Sequence, residues 1–374
     1  MSRFLHTADW QIGRTYRYFE PDDASALAEA RIASVKRVAE LAAQHQCDAV
    51  LVAGDVFDMQ GVGERLIRQT LNAMAGFSGP WVLLPGNHDA ALSESVWSRL
   101  QRLNLLPANV HLALTPEPLL LEQARLAILP APLTQRHTYD DTTGWFNNAE
   151  TPAGWLRIGL AHGAMQGVLA EGIDSANPIA ADRAVQARLD YLALGDWHGC
   201  KKIQPNVWYS GTHEPERFVN NDPGYALLVD IATPGDLPQV TRLETASHRW
   251  YALEQTLAVA SDIEHLQHQL QALPEHSVCR LKLSGSISLA DEERLQRLLN
   301  EQHARLRALQ VSKDQLQLQP TDEDIAALQA SGYLADVISD LRTEAGTNGD
   351  ETAAEALRIL AGMLRPSEAG AAQG

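Results

Sequence analysis

Ala49-Val50-Leu51-Val52-Ala53-Gly54-Asp55-Val56-Phe57-Asp58 is a short apolar run closed by Gly-Asp, with a second aspartate three residues further on. A run of this kind reads as a buried strand, and the aspartates stand where the strand gives way to a loop. The arrangement recurs on both sides of it. Phe4-Leu5-His6-Thr7 leads into Asp9-Trp10-Gln11, and Trp81-Val82-Leu83-Leu84 into Gly86-Asn87-His88-Asp89. Ile158-Gly159-Leu160 leads into His162-Gly163, and Tyr191-Leu192-Ala193-Leu194 into Gly195-Asp196-Trp197-His198. Between the first two runs, Leu27, Ile32, Val35, Val38, Leu41 and Ala42 form the apolar stripe of a helix over about 24–45. Further helices are predicted over 64–74 and about 95–103. Strands alternating with helices imply an α/β layered core, whose sites lie where strands end.

Taken singly, each motif has an ordinary explanation. A Gly-Asp pair after a strand is common, and Asn87-His88 after Gly86 is turn chemistry. The ordered set is different, because gathering polar groups at so many strand ends is costly unless they bind something together. The set reads as a two-metal phosphoesterase centre. Its donors are oxygen and imidazole, without thiolate, which suits Mn²⁺ or Mg²⁺ and argues against a structural zinc. Two such ions, roughly 3.5–4 Å apart, clamp a phosphodiester and activate a water near neutral pH.

The motifs and their order resemble the calcineurin-like metallophosphoesterases and, within them, the SbcD-type DNA repair nucleases. The resemblance covers about residues 1–245. Leu5-His6-Thr7-Ala8-Asp9-Trp10 and Gly54-Asp55-Val56-Phe57-Asp58 are similar to the nuclease branch, and Trp208-Tyr209-Ser210-Gly211-Thr212-His213-Glu214-Pro215 to the strand and loop that follow its last metal motif. The resemblance implies a four-layer α-β-β-α sandwich. It implies Asp9, Gln11, Asp55 and His198 at metal 1 and Asp55, Asn87, His162 and Asp196 at metal 2, with Asp55 bridging. His88 would be a catalytic histidine that contacts the scissile phosphate and assists the leaving group, while Asp58 and Asp89 would orient ligands and histidines from behind.

Two positions depart from the family pattern, in which Asp-x-His opens the site and Gly-His-x-His closes it. This chain has Gln11 and Asp196 there. A Gln carbonyl and an Asp carboxylate both bind hard cations. The added carboxylate lowers the positive charge of the bare two-ion site by one, so metal 2 is expected to be held more firmly and metal 1, with a neutral amide, more loosely. A YhaO-like branch of the family has a similar Gln, which favours a working variant.

The chain has 374 residues, enough for two or three structural units, and a formal net charge of −17. Neither an apolar leader nor a run of eighteen apolar residues is present, so nothing signals export or membrane insertion; Cys47, Cys200 and Cys279, odd in number and far apart, fit a reducing cytoplasm. The charge is the awkward feature, since DNA is held by cations. Residues 320–374 carry ten acids and three bases, but the remainder is acidic too. DNA affinity would have to come from the metals, a partner, or local bases such as Arg14, Arg17, Lys201 and Lys202, which flank the first and last motifs and touch phosphates or are simply solvated.

Beyond residue 245 a helix is predicted over 261–272, a strand over 278–283, a helix over 289–308 entered through Ser288 with Asp291 placed for capping, and a strand over 315–319. This unit, 246–320, resembles the small α+β capping domain of SbcD-type nucleases through Arg280-Leu281-Lys282-Leu283-Ser284-Gly285. Residues 321–374 hold two amphipathic segments, 333–341 and 353–364, separated by Gly346-Thr347-Asn348-Gly349, and end in a small polar tail from Pro366 expected to be disordered. The resemblance implies that such helices dock on an SbcC-type, SMC-like ATPase and that the catalytic domains pair as a homodimer; the alternative is that the helices pack on their own domain. Three functions remain open: a metal-dependent DNA exonuclease or endonuclease working with the ATPase in repair, a phosphatase or phosphodiesterase on a small substrate, and a scaffold that binds DNA ends with weakened catalysis.

Overall fold

In the computed structural model, which describes residues 1–167, 176–318, 333–347 and a few positions between 352 and 360, the apolar runs form two sheets, one on the other. The first sheet contains β1 (Ser2–Thr7), β2 (Ala49–Val52), β3 (Trp81–Leu83) and β4 (Val110–Leu112) in parallel. Sequence reading did not anticipate β4, nor β5 (Leu119–Leu121) and β6 (Leu126–Ala131). The second sheet runs β6, β7 (Leu156–His162), β10 (Tyr191–Gly195) and β12 (Val207–Tyr209) in parallel, with β5 antiparallel at one edge and β11 (Lys201–Gln204) at the other. A two-residue pair, β8 (Ala164–Met165) and β9 (Pro178–Ile179), lies apart. The first sheet is completed by β13 (Tyr225–Ile231), antiparallel to β1, and β14 (Gln239–Glu244).

Because strands alternate their side chains, each sheet has an inner and an outer core. Phe4, Leu51, Val82, Ile128, Ile158, Leu160, Tyr191 and Val229 fill the space between the sheets. On the outer face of the first sheet, Leu5, Val50 and Val52 pack with Val35 and Val38 of α1 (Pro21–Gln44), Ile67 and Leu71 of α2 (Glu64–Met74) and Trp97 of α3 (Val96–Arg102). Ser95 caps α3, accepting the Ser98 amide at 3.1 Å. The fourth layer is thin: Leu192 and Leu194 are covered by Phe146 of a 3₁₀ turn (Gly144–Asn148) and Ala184 of the one-turn α4 (Arg183–Gln186). The parallel strands of both sheets end at one edge, which gathers the polar motifs.

The chain divides into two compact units, Met1–Arg249 and Trp250–Gly374. In the second, β15 (Trp250–Leu257), β16 (Val278–Ile287) and β17 (Ala308–Leu318) form a parallel sheet. Leu266 and Leu270 of α5 (Ala260–Gln271) and Leu295 and Leu299 of α6 (Leu289–Arg305) cover one face through Leu281, Leu283 and Leu309. Ser288 caps α6, accepting the Asp291 amide at 3.0 Å. Two expectations change here. The helix predicted to 308 stops at Arg305, and the last strand begins at Ala308 rather than 315, because Ala308 and Leu309 pair with Val278 and Cys279. β15 was not foreseen at all. The next helix, α7 (Tyr333–Thr347), runs past the expected end at 341 and includes Gly346, expected in a break. Most of the predicted 353–364 segment and the tail from Pro366 lie outside the described residues. Among the described residues no helix is long and apolar enough to cross a membrane.

Candidate metal centre

Each motif reaches the centre because its strand ends there. Asp9 follows β1 and donates its amide to Gly54 O at 3.1 Å, while the Gln11 amide bonds Asp55 O at 2.8 Å, so the first two loops run side by side. Trp10 turns the other way, into the outer core, its indole bonded to Thr7 Oγ1 and edge-on to Trp81. Asp9, Gln11, Asp55 and Asp196 all have positive φ, at 53°, 42°, 53° and 97°. That is an uncommon backbone for residues with side chains, and its concentration here is strain of the kind found at functional sites. Gly86 is required by close packing: a Cβ there would lie 2.2 Å from Asp55 Oδ1.

Ligand atoms of Asp9, Asp55 and His162 lie within 4.8 Å of one another. His162 Nε2 is 3.0 Å from Asn87 Oδ1, 3.6 Å from Asp55 Oδ1 and 3.7 Å from Asp196 Oδ1, while Nδ1 faces Ala53 O at 2.8 Å. The Asp196 amide donates to both Asp9 oxygens, at 3.1 and 3.3 Å, and His198 Nε2 stands 3.9 Å from Asp9 Oδ1. On the far side of that ring, Nδ1 meets Glu216 Oε1 at 2.6 Å, a carboxylate that fixes tautomer and orientation. The carboxylates of this pocket demand positive charge. Burial works against a charged His162, yet Asp55, Asp9 and Asp196 outweigh it and hold the imidazole up to about 9. Burial pushes Asp9 up to about 6 against the pull of His198 and His162, and pushes Asp196 upward too. Among the described residues neither Asp9 nor Asp55 has a Lys or Arg ion-pair partner within 4.0 Å. Buried hard oxygens and imidazoles short of a cation fit divalent metal ions.

His88 sits at the rim, its side chain 25 % exposed. Its Nδ1 bonds the Asp58 carbonyl at 2.8 Å, and its amide donates to Asp55 Oδ1 at 2.9 Å. The Asp58 carboxylate is 3.7 Å from the ring, so the main-chain oxygen is what orients it. Asp89 ties two loops rather than a histidine: its carboxylate accepts the amides of Gly86 at 2.7 Å and Phe57 at 3.0 Å. The four flanking bases separate. Arg14 is drawn inward to Glu216 at 2.8 Å, and Arg17 is exposed. Lys201 lies over the Trp197 ring beside Asp196, whereas Lys202, its neighbour on β11, lies over Trp208 on the opposite face.

Sequence reading gave no role to Arg31, Glu214 or Glu216. Arg31, on α1 and 1 % exposed, donates to the carbonyls of Trp10 (2.7 Å), Asp9 (2.9 Å) and Glu214 (3.0 Å) and to Thr212 Oγ1 (2.9 Å). It thereby joins the first metal loop to the loop after β12. Glu214 bonds Ser34 and the amides of Ser247 and His248. The one signal was Thr212-His213-Glu214-Pro215-Glu216, two acids in a loop directly after a strand.

His6 lies just before the first motif but is not placed as a ligand: Nδ1 meets Tyr191 Oη and Nε2 the Leu194 carbonyl, both at 3.1 Å. Burial drives its pKa down to about 3, with the Leu194 bond opposing. A folded state that refuses a proton the unfolded chain accepts near pH 6.5 is fully stable above that pH and loses stability as pH falls toward 3. His213, also depressed by burial, acts in the same direction. A His6→Gln variant should therefore lose less stability between pH 7 and pH 5 than the wild type, by roughly 2 kcal/mol in urea unfolding. Parallel pH profiles would show that His6 is not buried neutral.

Residues 2–229 match the calcineurin-like phosphoesterase family. The chain is 25 % identical over 248 residues to the uncharacterized metallophosphoesterase YhaO of Bacillus subtilis, covering 63 % of this chain and 58 % of that protein. It is 40 % identical over 94 residues to the SbcD component of the SbcCD nuclease of Rhodobacter capsulatus, 24 % of this chain and 22 % of that one. Against the SbcD component of Escherichia coli the identity is 35 % over 98 residues, 25 % and 23 % of the two chains. The matched segment thus spans little more than half of YhaO and under a quarter of the SbcD chains.

Proposed function

The chain belongs to the calcineurin-like phosphoesterases, and from that premise we propose that it is a two-metal phosphodiester hydrolase acting on DNA, the nuclease partner of an SbcC-type ATPase in DNA repair. The observation that carries the reading is the convergence of Asp9, Asp55, Asn87, His162, Asp196 and His198 on one pocket, where neither Asp9 nor Asp55 has a Lys or Arg ion-pair partner among the described residues, with His88 at its rim. Mn²⁺ is the ion proposed, with Mg²⁺ as the substitute, and the ions supply Lewis acidity toward the phosphate and the attacking water. Asp55 is the proposed bridge. Glu216 orients His198, and His88 touches the phosphate or the departing oxygen. The nuclease assignment draws on the likeness to SbcD chains, which are nucleases by name. A diesterase on a small substrate is the second reading, favoured by the net charge of −17, unsuited to a chain that grips DNA by itself.

The test is direct: the full chain with Mn²⁺ is given labelled single-stranded and double-stranded DNA beside an aryl phosphodiester. Cleavage of DNA supports the nuclease, and cleavage of the aryl ester alone supports the second reading. The proposed partner and domain roles have their own test. The unit after residue 245 is proposed to shape which DNA ends enter, and residues 321–374 to dock the ATPase in a cytoplasmic, dimeric assembly. Deleting 321–374 should leave aryl diester hydrolysis within about twofold while abolishing co-purification with a co-expressed coiled-coil ATPase. Retained co-purification would refute the docking role, and an insoluble product would mean that these residues complete the protein's own core.

A further inference from the structure

Arg14 does more than flank the first motif. Its Nε forms an ion pair with Glu216 Oε2 at 2.8 Å and its Nη1 donates to Gln11 Oε1 at 2.8 Å, with Asp58 Oδ1 3.5 Å away. Glu216 is itself pinned by His198 at 2.6 Å and Arg217 at 2.7 Å. On its other side, the Gln11 Nε2 donates to Asp55 Oδ2 at 3.3 Å. These partners decide which way the amide faces. A guanidinium offers only donors and a carboxylate only acceptors, so turning the amide over would set NH₂ against Arg14 and lose both bonds. Gln11 consequently presents donors to the bridging carboxylate, where a hard cation requires acceptors. Held this way, Gln11 does not fit the ligand role that the family pattern gives its position. The other donors are unaffected, since Asn87 and Asp196 converge on His162, and Asp9 stands beside His198.

We propose that Arg14, clamped by Glu216, is a positioning residue that holds the Gln11 carbonyl away from the metal pocket, so that the Asp9–His198 side takes its ion weakly and exchangeably. The Asp55, Asn87, His162 and Asp196 side binds its ion first. This rests on the two-ion reading above and adds to it a reason for unequal ions: a fixed cation beside one of them, and a ligand withheld from it. The second ion becomes conditional on free metal concentration.

Mn²⁺ binding to the full chain, by equilibrium dialysis and by the electron paramagnetic resonance signal of coupled ion pairs, tests this without reference to activity. The wild type should show one tight and one weak step, with the coupled signal appearing only at the second. Arg14→Ala should tighten the weak step by about tenfold or more, the size of effect expected for a group that orients a ligand. Arg14→Lys keeps the charge but lacks the fork that spans Glu216 and Gln11, so it should tighten that step as well. In a Gln11→Ala background most of the gain from Arg14→Ala should vanish, because no carbonyl is left to release. Gln11→His supplies a donor that needs no reorientation and should tighten the weak step with Arg14 intact. Two steps of equal affinity in the wild type would overturn the proposal, as would an Arg14→Lys variant that binds like the wild type, a gain that persists in full without Gln11, or no gain in Gln11→His. A wild type that binds no Mn²⁺ at all would overturn the two-ion reading with it.

Discussion

Asp55→Ala is expected to abolish hydrolysis and to strip the protein of bound metal. Asp55 is 1 % exposed and central to the cluster: one oxygen accepts the His88 amide at 2.9 Å and lies 3.6 Å from His162 Nε2, and the other accepts from Gln11 at 3.3 Å. Gly86 packs directly against it, and alanine removes the carboxylate from the middle of the cluster. Metal ions supply several kcal/mol of transition-state stabilisation, and at about 1.4 kcal/mol per factor of ten their loss lowers the rate roughly 10³-fold or more. Asp55→Asn should behave alike, since it keeps the shape but not the charge that holds a cation. Metal content per chain and hydrolysis of an aryl diester are the measurements, and an Asp55→Ala protein that keeps both would sink the assignment.

His88→Ala separates chemistry from metal binding. The ring's Nδ1 is engaged by the Asp58 carbonyl, and its nearest carboxylate is that of Asp58, outside the group of Asp9, Asp55 and His162. The variant should keep its metal content yet lose roughly 10²–10⁴ in rate, the usual worth of a positioned proton donor or phosphate contact. If the histidine assists the departing oxygen, the loss should be greatest for esters with poor leaving groups and small for an activated aryl ester. Loss of the ions along with the rate would make His88 a ligand instead.

The legible part of this protein was local. Apolar runs closed by Gly-Asp, Asn-His or His-Gly mark strand ends within a few residues, so Asp9, Asp55, Asn87, His162, Asp196 and His198 could be picked out before any contact was known. The capping role of Ser288 was readable for the same reason, since it bonds an amide three residues away. Edge strands were less so. β4, β5 and β15 carry weak patterns, and it is the neighbouring strand, through pairings such as Leu83 with Leu112 and Trp250 with Val278, that makes them strands.

What the sequence by itself determined is the layered α/β core, the order of the polar loops and the chemical type of the donors, because these follow from periodicity and from residues adjacent in the chain. The tertiary structure alone decided how the donors are held. Arg31 reaches the Asp9 and Trp10 carbonyls from a helix more than twenty residues away, and Glu216 joins His198 to Arg14 across the two sheets. Which end of the Gln11 amide faces Asp55 depends on that last contact. A side-chain amide carries a donor and an acceptor at equal reach, and only its partners, brought close by folding, choose between them.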